Sequence, residues 1–516
     1  MKPILLIQFV LALLFSARLE AQHSYVLDTD GFSNYVAHFN AMEDENVTNY
    51  VSNADSWKWL QKEIPFFQCP DREVEEMYYF RWWSFRKHLE ETNNNFVFSE
   101  FLTRQLPVSS ALGHQIAEGR WLHDQDYLDD YISYWLQTPG RRMQMHKYSS
   151  WLDAALWQRY LVIQDKSFLT SHLDGLVDDY KQWEGERLSA NGLFWQYDVR
   201  DAMEESISGS RTNKNLRPSI NGYMYGNARA IADIARLAGD ESVAKEFAAK
   251  AAQLQTLAEE SLWNTNASFF EVRRDNGRLS DVREEIGFIP WMFDLPENNA
   301  TYDAAWEQIM DTRGFSAPYG ITTAERRSPF FRTHGYGHCE WDGAVWPFAT
   351  SQTLDALANF TRDYVAVSPS SHDPKENVGA LRTTYYDAFL TYVHSQHAEG
   401  KPYIGEYLDE TTGQWINGVG GRSRYYNHST FADLVITGVV GLVPRADDTV
   451  EIFPLLPPGL WDYFCLDGVE YHGHTLTIIW DKDGSHYHRG TGLMVLAEGK
   501  EIARANGLEK LTGKLP

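Results

Sequence analysis

Cysteine is scarce in this chain of 516 residues, which holds only Cys69, Cys339 and Cys465. They lie far apart and form no C-x-x-C or Cys/His metal spacing. At most one disulfide can form, and three buried, reduced cysteines are an equally good interpretation. A chain of this length needs no disulfide framework to fold.

Positive charge is also in short supply. There are 46 Lys and Arg residues against 71 Asp and Glu residues, a formal net charge of −25. The acidic residues are spread along the chain and form no block. Such a surface repels nucleic acid and anionic membranes, so we expect neither as a partner.

Long apolar runs are confined to the N-terminus. The run 4–15 follows Lys2 and is followed by small residues up to Ala21. This pattern is typical of a signal peptide and too short for a comfortable transmembrane helix. We predict a signal peptide at 1–21, cleavage near Ala21–Gln22 and a secreted or periplasmic protein without membrane association after cleavage. An uncleaved anchor is the alternative.

The motifs of several enzyme classes are missing. There is no G-x-S-x-G, and the glycine-rich stretch 335–343 lacks the lysine and the strand–helix context of a phosphate loop. His334, His338 and Cys339 lie close together, but the spacing offers no fourth metal ligand. We predict no cofactor and no catalytic metal. A structural calcium stays open, although the spacing does not support one.

Aromatic residues, by contrast, are abundant. The 18 Trp, 28 Tyr and 27 Phe make up 14% of the chain. Flat apolar rings with polar edges suit the faces of sugar rings. Carbohydrate binding is therefore one interpretation, and a large aromatic core is the other.

Helical periodicity dominates the middle of the chain, where strand patterns are almost absent. The predicted helices are 71–92, 106–117, 126–136, 149–163, 168–187, 221–237, 243–263, 304–310, 346–360, 383–397 and 426–440. Helical hairpins that bury one face each must either close into a ring or stack. No repeat of TPR or HEAT type is present, so the pattern favours a closed α/α toroid over a solenoid.

The pattern changes after residue 441. Short β-branched or aromatic segments at 449–453, 461–466, 475–480 and 492–496 are separated by turn clusters. They predict a small antiparallel β-sandwich. The expected organisation is a signal peptide at 1–21, an N-terminal extension packed on the barrel at 22–70, a mainly α catalytic barrel at 71–441 and a β domain at 442–516.

Three polar loops flanked by aromatic residues are rich in carboxylates. Glycoside hydrolysis needs two carboxyl groups, because one protonates the leaving oxygen and the other activates water or attacks the sugar. For any one carboxylate in these loops, the alternative role is to cap a helix or to form an ion pair with a nearby arginine. The loops are 197–227 with Asp198, Asp201, Glu204 and Glu205; 340–354 with Glu340 and Asp342; and 401–418 with Glu406 and Asp409.

The order of these loops, from about Trp82 to Leu442, resembles the inverting (α/α)6-barrel glycoside hydrolases. That group includes trehalases, processing α-glucosidases and mannosylglycerate hydrolase-like enzymes, the six-hairpin glycosidases. The resemblance implies an (α/α)6 toroid, a general acid in the first loop and a general base in the third. The family's acid is an Asp after Gly-Trp or Gly-Met, whereas this chain has Ala202-Met203-Glu204. We therefore expect Glu204 as the acid, with Asp201 as the alternative, and Glu406 as the base.

The same loops supply the expected sugar contacts. We expect ring contacts from Trp341, Trp346, Tyr225 and Trp415, and hydroxyl contacts from Asp342, Arg217, Asn221 and Gln352. Arg211 and Arg217 have two interpretations: they bind a carboxylate on the substrate, or they pair with Glu204 or Glu205.

The predicted function is therefore inverting hydrolysis of an α-linked glucoside or mannoside, with an oligosaccharide or small glycoside as substrate. A polysaccharide lyase is one alternative, and it would recruit Tyr223, Tyr225, His334 and His338. A sugar-binding protein without activity and a scaffold of stacked helices are the others. The sequence leaves the oligomeric state open.

Overall fold

The computed structural model describes residues 26–92, 95–103, 106–138, 142–334, 339–367 and 374–516. The predicted signal peptide, its cleavage site and His338 lie outside these segments. In the segments that are described, no helix is both long enough and apolar enough to cross a membrane.

Helices are the main regular elements of the described chain up to residue 440. They are α1 (Ser33–Ala41), α2 (Ser56–Glu63), α3 (Arg72–Arg86), α4 (Leu112–Gly119), α5 (Asp126–Gln137), α6 (Arg142–Met145), α7 (Leu152–Ile163), α8 (Lys166–Ser171), α9 (Leu173–Arg187), α10 (Pro218–Ala238), α11 (Glu241–Leu262), α12 (Ile289–Met292), α13 (Ala300–Asp303), α14 (Pro347–Asn359), α15 (Pro374–Ser395) and α16 (Ala432–Leu434). Glu285–Phe288 extends α12 as a 3-10 turn, and Val435–Val440 extends α16 as a π-helical turn.

Six of these helices form a closed inner ring. Each packs on the next in the order α4, α7, α10, α12, α14 and α16, and α16 returns to α4. Around this ring, α9 and α11 lie against α10, α15 lies against α14, and α3 lies against α15 and α16. The predicted (α/α)6 toroid is confirmed.

Local sequence sets the ends of the longest hairpin, α10–α11. Pro218 occupies the first turn of α10, where a missing N–H costs nothing, and Gly239 ends the helix in the left-handed region at φ 83°. Asp240 then caps α11, because its side chain accepts hydrogen bonds from the N–H groups of Ser242 and Val243. The start of α10 lies in the same polar stretch, 197–227, as the candidate acid.

Strands form the C-terminal domain and several small hairpins. They are β1 (Phe66–Gln68), β2 (Leu89–Thr92), β3 (Asn95–Phe98), β4 (Trp263–Asn264), β5 (Phe269–Phe270), β6 (Ser316–Ala317), β7 (Gly320–Ile321), β8 (His397–Ala398), β9 (Lys401–Pro402), β10 (Leu442–Val443), β11 (Thr449–Ile452), β12 (Tyr463–Tyr471), β13 (His474–Asp481), β14 (Gly492–Ala497), β15 (Lys500–Ala505) and β16 (Leu511–Lys514).

Two antiparallel sheets build the C-terminal domain, in the orders β1-β12-β13-β14-β15 and β10-β11-β16. Every residue of β14 is buried, so both faces of the larger sheet are covered at its centre. The first strand comes from the N-terminal segment: Phe67 lies opposite Leu466. Asp467 also accepts hydrogen bonds from the N–H groups of Val26 and Leu27. The N-terminal segment therefore joins the β domain as well as the helical body, where α1 packs on α3.

Most predicted helices are present, but several differ in bounds or type. The prediction for 106–117 began too early, because α4 starts at Leu112, and the prediction for 383–397 began too late, because α15 starts at Pro374. The prediction for 71–92 ran too far, because α3 ends at Arg86 and Leu89–Thr92 pairs with Asn95–Phe98 as a hairpin. The prediction for 426–440 began too early, because the helix starts at Ala432. The stretch 304–310 is a 3-10 helix over Ala304–Gln308. The three cysteines are free; Cys69 and Cys465 are buried and Cys339 is partly exposed.

Candidate active site

The loops that lead into the inner helices meet around a cavity of about 170 Å3. Segments before α4, α7, α10, α14 and α16 all contribute to its wall, so the N-terminal ends of these helices lie at the same end of the toroid. Lining residues from these segments include Val108 and Ser110, Lys147 and Tyr148, Ala202 and Glu204, Cys339, Trp346 and Phe348, and Glu406, Arg422, Tyr426 and His428.

Glu204 and Glu406 line this cavity together, although about two hundred positions separate them in the chain. A third carboxyl group, that of Glu100, lines it as well. A small cavity with three carboxyl groups places them in one low-dielectric environment, where their charges repel and their protons are coupled. This arrangement suits acid–base chemistry on a bound sugar.

The backbone around Glu204 is strained. Ala202 and Glu205 have φ angles of 58° and 62°, in the left-handed region that side chains with a Cβ rarely adopt. Each such residue costs on the order of 1–3 kcal/mol and persists only where the surroundings hold it. The carbonyl of Glu204 accepts a 3.4 Å hydrogen bond from the N–H of Trp341, which ties the first loop to the second.

Asp201, the alternative acid, is a partner of Arg217. Its Oδ2 accepts a 2.7 Å hydrogen bond from Arg217 Nε and another from the hydroxyl of Ser219. Neither side chain of the Asp201–Arg217 pair is exposed, and neither residue lines the cavity. The structure therefore places Asp201 beneath the loop, where it anchors the segment that carries Glu204.

Burial is the main reason that the pKa of Glu204 is raised to about 7. The charges of Glu406 and Asp198 also raise this pKa, while Arg211 opposes them. A carboxyl group with a pKa near 7 keeps its proton on a substantial fraction of molecules at neutral pH, as a general acid requires.

Glu406 has a different set of neighbours. Its Oε2 accepts hydrogen bonds from the amide of Asn417 and the hydroxyl of Ser423, at 3.1 Å for the latter. Arg422 Nη2 lies 3.8 Å from Oε1. Two neutral donors and a guanidinium group suit an ionised carboxylate, so the two carboxyl groups have environments that separate their roles.

Trp346 lines the cavity, but its ring faces are already covered. Trp341 stacks on one face at 4.6 Å between ring centroids, and Tyr407 stacks on the ring at 4.5 Å and an angle of 5°. Phe348 meets Trp341 edge-on. Trp346 therefore presents an edge to a ligand, and Trp341 lies behind it, outside the cavity wall.

Asp342 organises the loop in front of α14. Its buried carboxylate accepts a 2.9 Å hydrogen bond from the N–H of His334, and its carbonyl accepts one from the N–H of Arg332. Arg332 also pairs with Glu340. Asp342 does not line the cavity.

Other expected sugar-binding residues are bonded within the protein and lie outside the cavity wall. Asn221 bonds the backbone of Phe194 and Arg217, Gln352 bonds the hydroxyl of Tyr223, Trp415 donates to the carbonyl of His397, and Tyr225 donates to the carbonyl of Asp294. These contacts give each of the four side chains a structural role. Arg211 pairs with Glu205 at 2.7 Å, as the ion-pair interpretation expected.

Trp415 packs against the segment that carries Glu406. A Cβ on Gly405 would lie 2.6 Å from the Trp415 ring, so the indole packs directly against the backbone next to Glu406. Leu408, two residues after Glu406, exchanges two 3.0 Å backbone hydrogen bonds with Val345. These contacts fix the third loop against the second.

A larger cavity of about 270 Å3 lies at the opposite end of the inner helices. Its wall includes Arg229 of α10, Asp294 after α12 and Asp355 of α14. It contains neither Glu204 nor Glu406, so size alone does not identify the reaction site. Over the segments that the structure describes, no group of three or more His, Cys, Asp or Glu side chains is placed to hold a metal.

Sequence reasoning did not single out Glu100, Arg422, Tyr426 or Lys147. Glu100 lies two residues after β3 in the apolar stretch FVFSEF, outside the three carboxylate-rich loops. Burial is the main reason that its pKa is raised to about 8, and the charges of Glu406 and Glu204 act in the same direction, although Tyr426 and Ser110 oppose them by donating hydrogen bonds. The one available signal was a lone acidic residue among apolar neighbours.

The chain is similar to known glycoside hydrolase domains. The sequence profile of the mannosylglycerate hydrolase MGH1-like glycoside hydrolase domain matches residues 105–429. The profile of the C-terminal domain of glycosyl hydrolase family 65 matches residues 444–504. A solved structure named "Sialidase" is 49% identical over 94% of this chain, with a TM-score of 0.90. The chain spans 45% of the length of that protein.

Two more distant structures share the fold. The GH63 mannosylglycerate hydrolase of Thermus thermophilus, in complex with Tris, is 13% identical, with 70% of this chain and 99% of that chain covered and a TM-score of 0.51. The GH78 family rhamnosidase of a Bacillus species is 12% identical, with 81% of this chain and 40% of that chain covered and a TM-score of 0.54.

A helical toroid with these matches defines a glycoside hydrolase of the six-hairpin group, and the prediction of that enzyme class is confirmed. The chain belongs to the family of the mannosylglycerate hydrolase MGH1-like glycoside hydrolase domain, whose profile covers more than half of its length.

Proposed function

We propose that this protein hydrolyses a glycosidic bond with inversion, with Glu204 as general acid and Glu406 as general base. The observation that carries the proposal is that these two carboxyl groups share one cavity in contrasting environments. Burial raises the pKa of Glu204 to about 7, whereas amide, hydroxyl and guanidinium donors surround Glu406. Pairs of carboxyl groups whose environments differ in this way divide acid and base roles.

The reaction follows from these roles. Glu204 gives its proton to the departing glycosidic oxygen as the bond to the anomeric carbon breaks. Glu406 takes a proton from a water molecule, whose oxygen attacks that carbon from the opposite face. An inverting pair requires carboxyl groups about 6.5–9.5 Å apart, so that the water fits between them and the sugar. Exchange of one proton with solvent returns both groups to their starting states.

The substrate is proposed to be a neutral terminal sugar in α-linkage, of the glucoside or mannoside type. A cavity of about 170 Å3 is smaller than the roughly 300–1,000 Å3 of drug-sized pockets, so it suits one sugar ring. Its wall also holds three carboxyl groups and the cations Lys147 and Arg422. We also propose a secreted or periplasmic location, supported by the apolar run at 4–15, and catalysis without a cofactor.

The relative named as a sialidase suggests a sialoside as a second candidate. The same two cations favour a substrate carboxylate. That relative is more than twice as long as the matched region, so its name need not describe this part. A sialoside therefore belongs in the substrate panel.

The test is turnover of a panel of 4-nitrophenyl glycosides: α- and β-linked glucose, mannose, rhamnose and arabinose, and the sialoside. Using the best substrate, Glu204→Gln and Glu406→Gln should each lower kcat by about 10²–10⁴-fold. Glu205→Gln is the matched control next to the acid and should stay within a few-fold of wild type. Proton NMR of the first-formed sugar should show the inverted anomer. Full activity in both variants, or a retained anomer, would refute the mechanism.

A further inference from the structure

A third carboxyl group in the catalytic cavity has no part in the reaction described so far. We propose that Glu100 binds a hydroxyl group of the sugar held between Glu204 and Glu406, and so helps to determine which sugar is accepted. This inference rests on the proposed function and adds a substrate-binding residue to it.

The position of Glu100 is fixed from several sides. Its Oε1 accepts a 2.8 Å hydrogen bond from the hydroxyl of Tyr426, and the hydroxyl of Ser110 lies 3.3 Å from Oε2. Its carbonyl accepts a 3.0 Å hydrogen bond from the N–H of Asn427. The residue is only 5% exposed, yet it lines the cavity. A buried carboxyl group held this firmly is preorganised to meet a ligand.

Burial and the charges of Glu406 and Glu204 favour the neutral form of Glu100, and they outweigh the opposing effect of the hydroxyl groups that donate to it. The groups that donate to its side chain are the hydroxyls of Tyr426 and Ser110, and no described Lys or Arg side chain forms an ion pair with it. The cavity wall also holds two further carboxyl groups, the cations Lys147 and Arg422, and His428. Burial lowers the pKa of His428 well below its usual value, so that ring is neutral. With the pKa of Glu100 near 8, the group carries a proton at neutral pH.

A neutral carboxylic acid offers one O–H donor and an accepting oxygen. Sugar hydroxyls both donate and accept, so they match such a group without a charge inside the cavity. A second carboxylate beside Glu406 would hold the proton of Glu204 more tightly and slow its transfer. A protonated Glu100 binds the sugar and leaves Glu406 as the anion of the site.

The test compares Glu100→Gln and Glu100→Ala on the best 4-nitrophenyl glycoside and on its monodeoxy derivatives. Gln keeps a donor and an acceptor, so we expect kcat/KM at pH 6 within about fivefold of wild type. Ala should lose at least about tenfold on the parent glycoside. For the monodeoxy derivative that lacks the hydroxyl bound by Glu100, the kcat/KM of wild type should be within about threefold of the kcat/KM of Glu100→Ala. If the ratio of the two kcat/KM values is the same on every derivative as on the parent glycoside, the proposal is overturned.

The pH profile provides a readout that a purely structural residue would not change. In wild type, both Glu204 and Glu100 lose protons above neutral pH, so log kcat/KM should fall with a slope approaching about −2. Glu100→Gln should reduce that slope to about −1. Glu271→Gln is the matched control, because burial also raises the pKa of Glu271 to about 7 but this residue lies outside the cavity. An unchanged slope in Glu100→Gln contradicts the proposal.

The outcomes separate this inference from the proposed function. If Glu204→Gln and Glu406→Gln are inactive while both Glu100 variants behave as wild type on all derivatives, only the role of Glu100 fails. If wild type hydrolyses no glycoside in the panel, the proposed function fails. Calorimetric titration of wild type and Glu100→Ala with free glucose and mannose then decides the role of Glu100, and equal affinities would overturn it.

Discussion

Asp201 and Arg217 form an ion pair with 2.7 Å between Oδ2 and Nε, and neither side chain is exposed to solvent. Arg217 immediately precedes α10, and Asp201 lies three residues before Glu204. The pair therefore links the start of an inner helix to the loop that carries the proposed acid. Asp201 and Glu204 therefore have different roles, although they lie only three residues apart. Asp201 holds the loop, and Glu204 faces the cavity.

Breaking this pair should destabilise the protein strongly. Arg217→Met leaves the charge of Asp201 buried without a partner, and we expect a loss of about 3–5 kcal/mol in the free energy of unfolding. Urea denaturation followed by circular dichroism measures it. Arg211→Met is the control, since Arg211 pairs with Glu205 but is 59% exposed, and its loss should be below about 1 kcal/mol. Equal losses would contradict a structural role for the Asp201–Arg217 pair.

The neighbours of Glu204 should shift the pH dependence in opposite directions. Because a general acid works only when protonated, kcat/KM should fall above about pH 7, the pKa of Glu204. Asp198 raises that pKa and Arg211 lowers it. Asp198→Asn should therefore move the alkaline limb to lower pH, and Arg211→Gln should move it to higher pH. Shifts of the same sign would show that another group controls the limb.

The contact between Gly405 and Trp415 should matter for activity. Gly405→Ala would place a Cβ 2.6 Å from the indole, so either the ring or the segment of Glu406 must move. A displacement near 1 Å costs about 10²-fold in rate. We expect that loss in kcat/KM, measured beside the thermal midpoint of each variant. Gly379→Ala, in α15 with no atom within 4 Å of the new Cβ, should keep full activity. Full activity in Gly405→Ala would show that this packing does not position the base.

The sequence was sufficient for most helices of the toroid, but not for α12 (Ile289–Met292) or for all helix ends. Periodicity continued past Arg86, yet Leu89–Thr92 became a strand because it pairs with Asn95–Phe98. That pairing is a tertiary contact that helical periodicity cannot reveal. Likewise, α16 starts only at Ala432, and Tyr426 and His428, which were predicted as helical, precede it and line the cavity.

The site was predictable where carboxylates cluster with aromatic residues. That composition points to three loops, and the resemblance to the (α/α)6-barrel glycoside hydrolases singles out Glu204 and Glu406 within them; the structure brings both to one cavity. The amino-acid composition of a loop does not show which face of an aromatic ring points into the cavity. Trp341 and Trp415 are packed against other residues, and the faces of Trp346 are covered. Glu100 was missed because its position depends on Tyr426, more than three hundred residues away in the chain.

The most direct measurement of the central claim compares good and poor leaving groups in Glu204→Gln. A general acid is needed only when the departing oxygen needs a proton. With the sugar that the panel identifies, the variant should keep kcat/KM within about tenfold of wild type on the 2,4-dinitrophenyl glycoside. On the corresponding methyl glycoside it should lose at least about 10³-fold. An equal loss on both substrates would contradict the assignment of Glu204 as the proton donor.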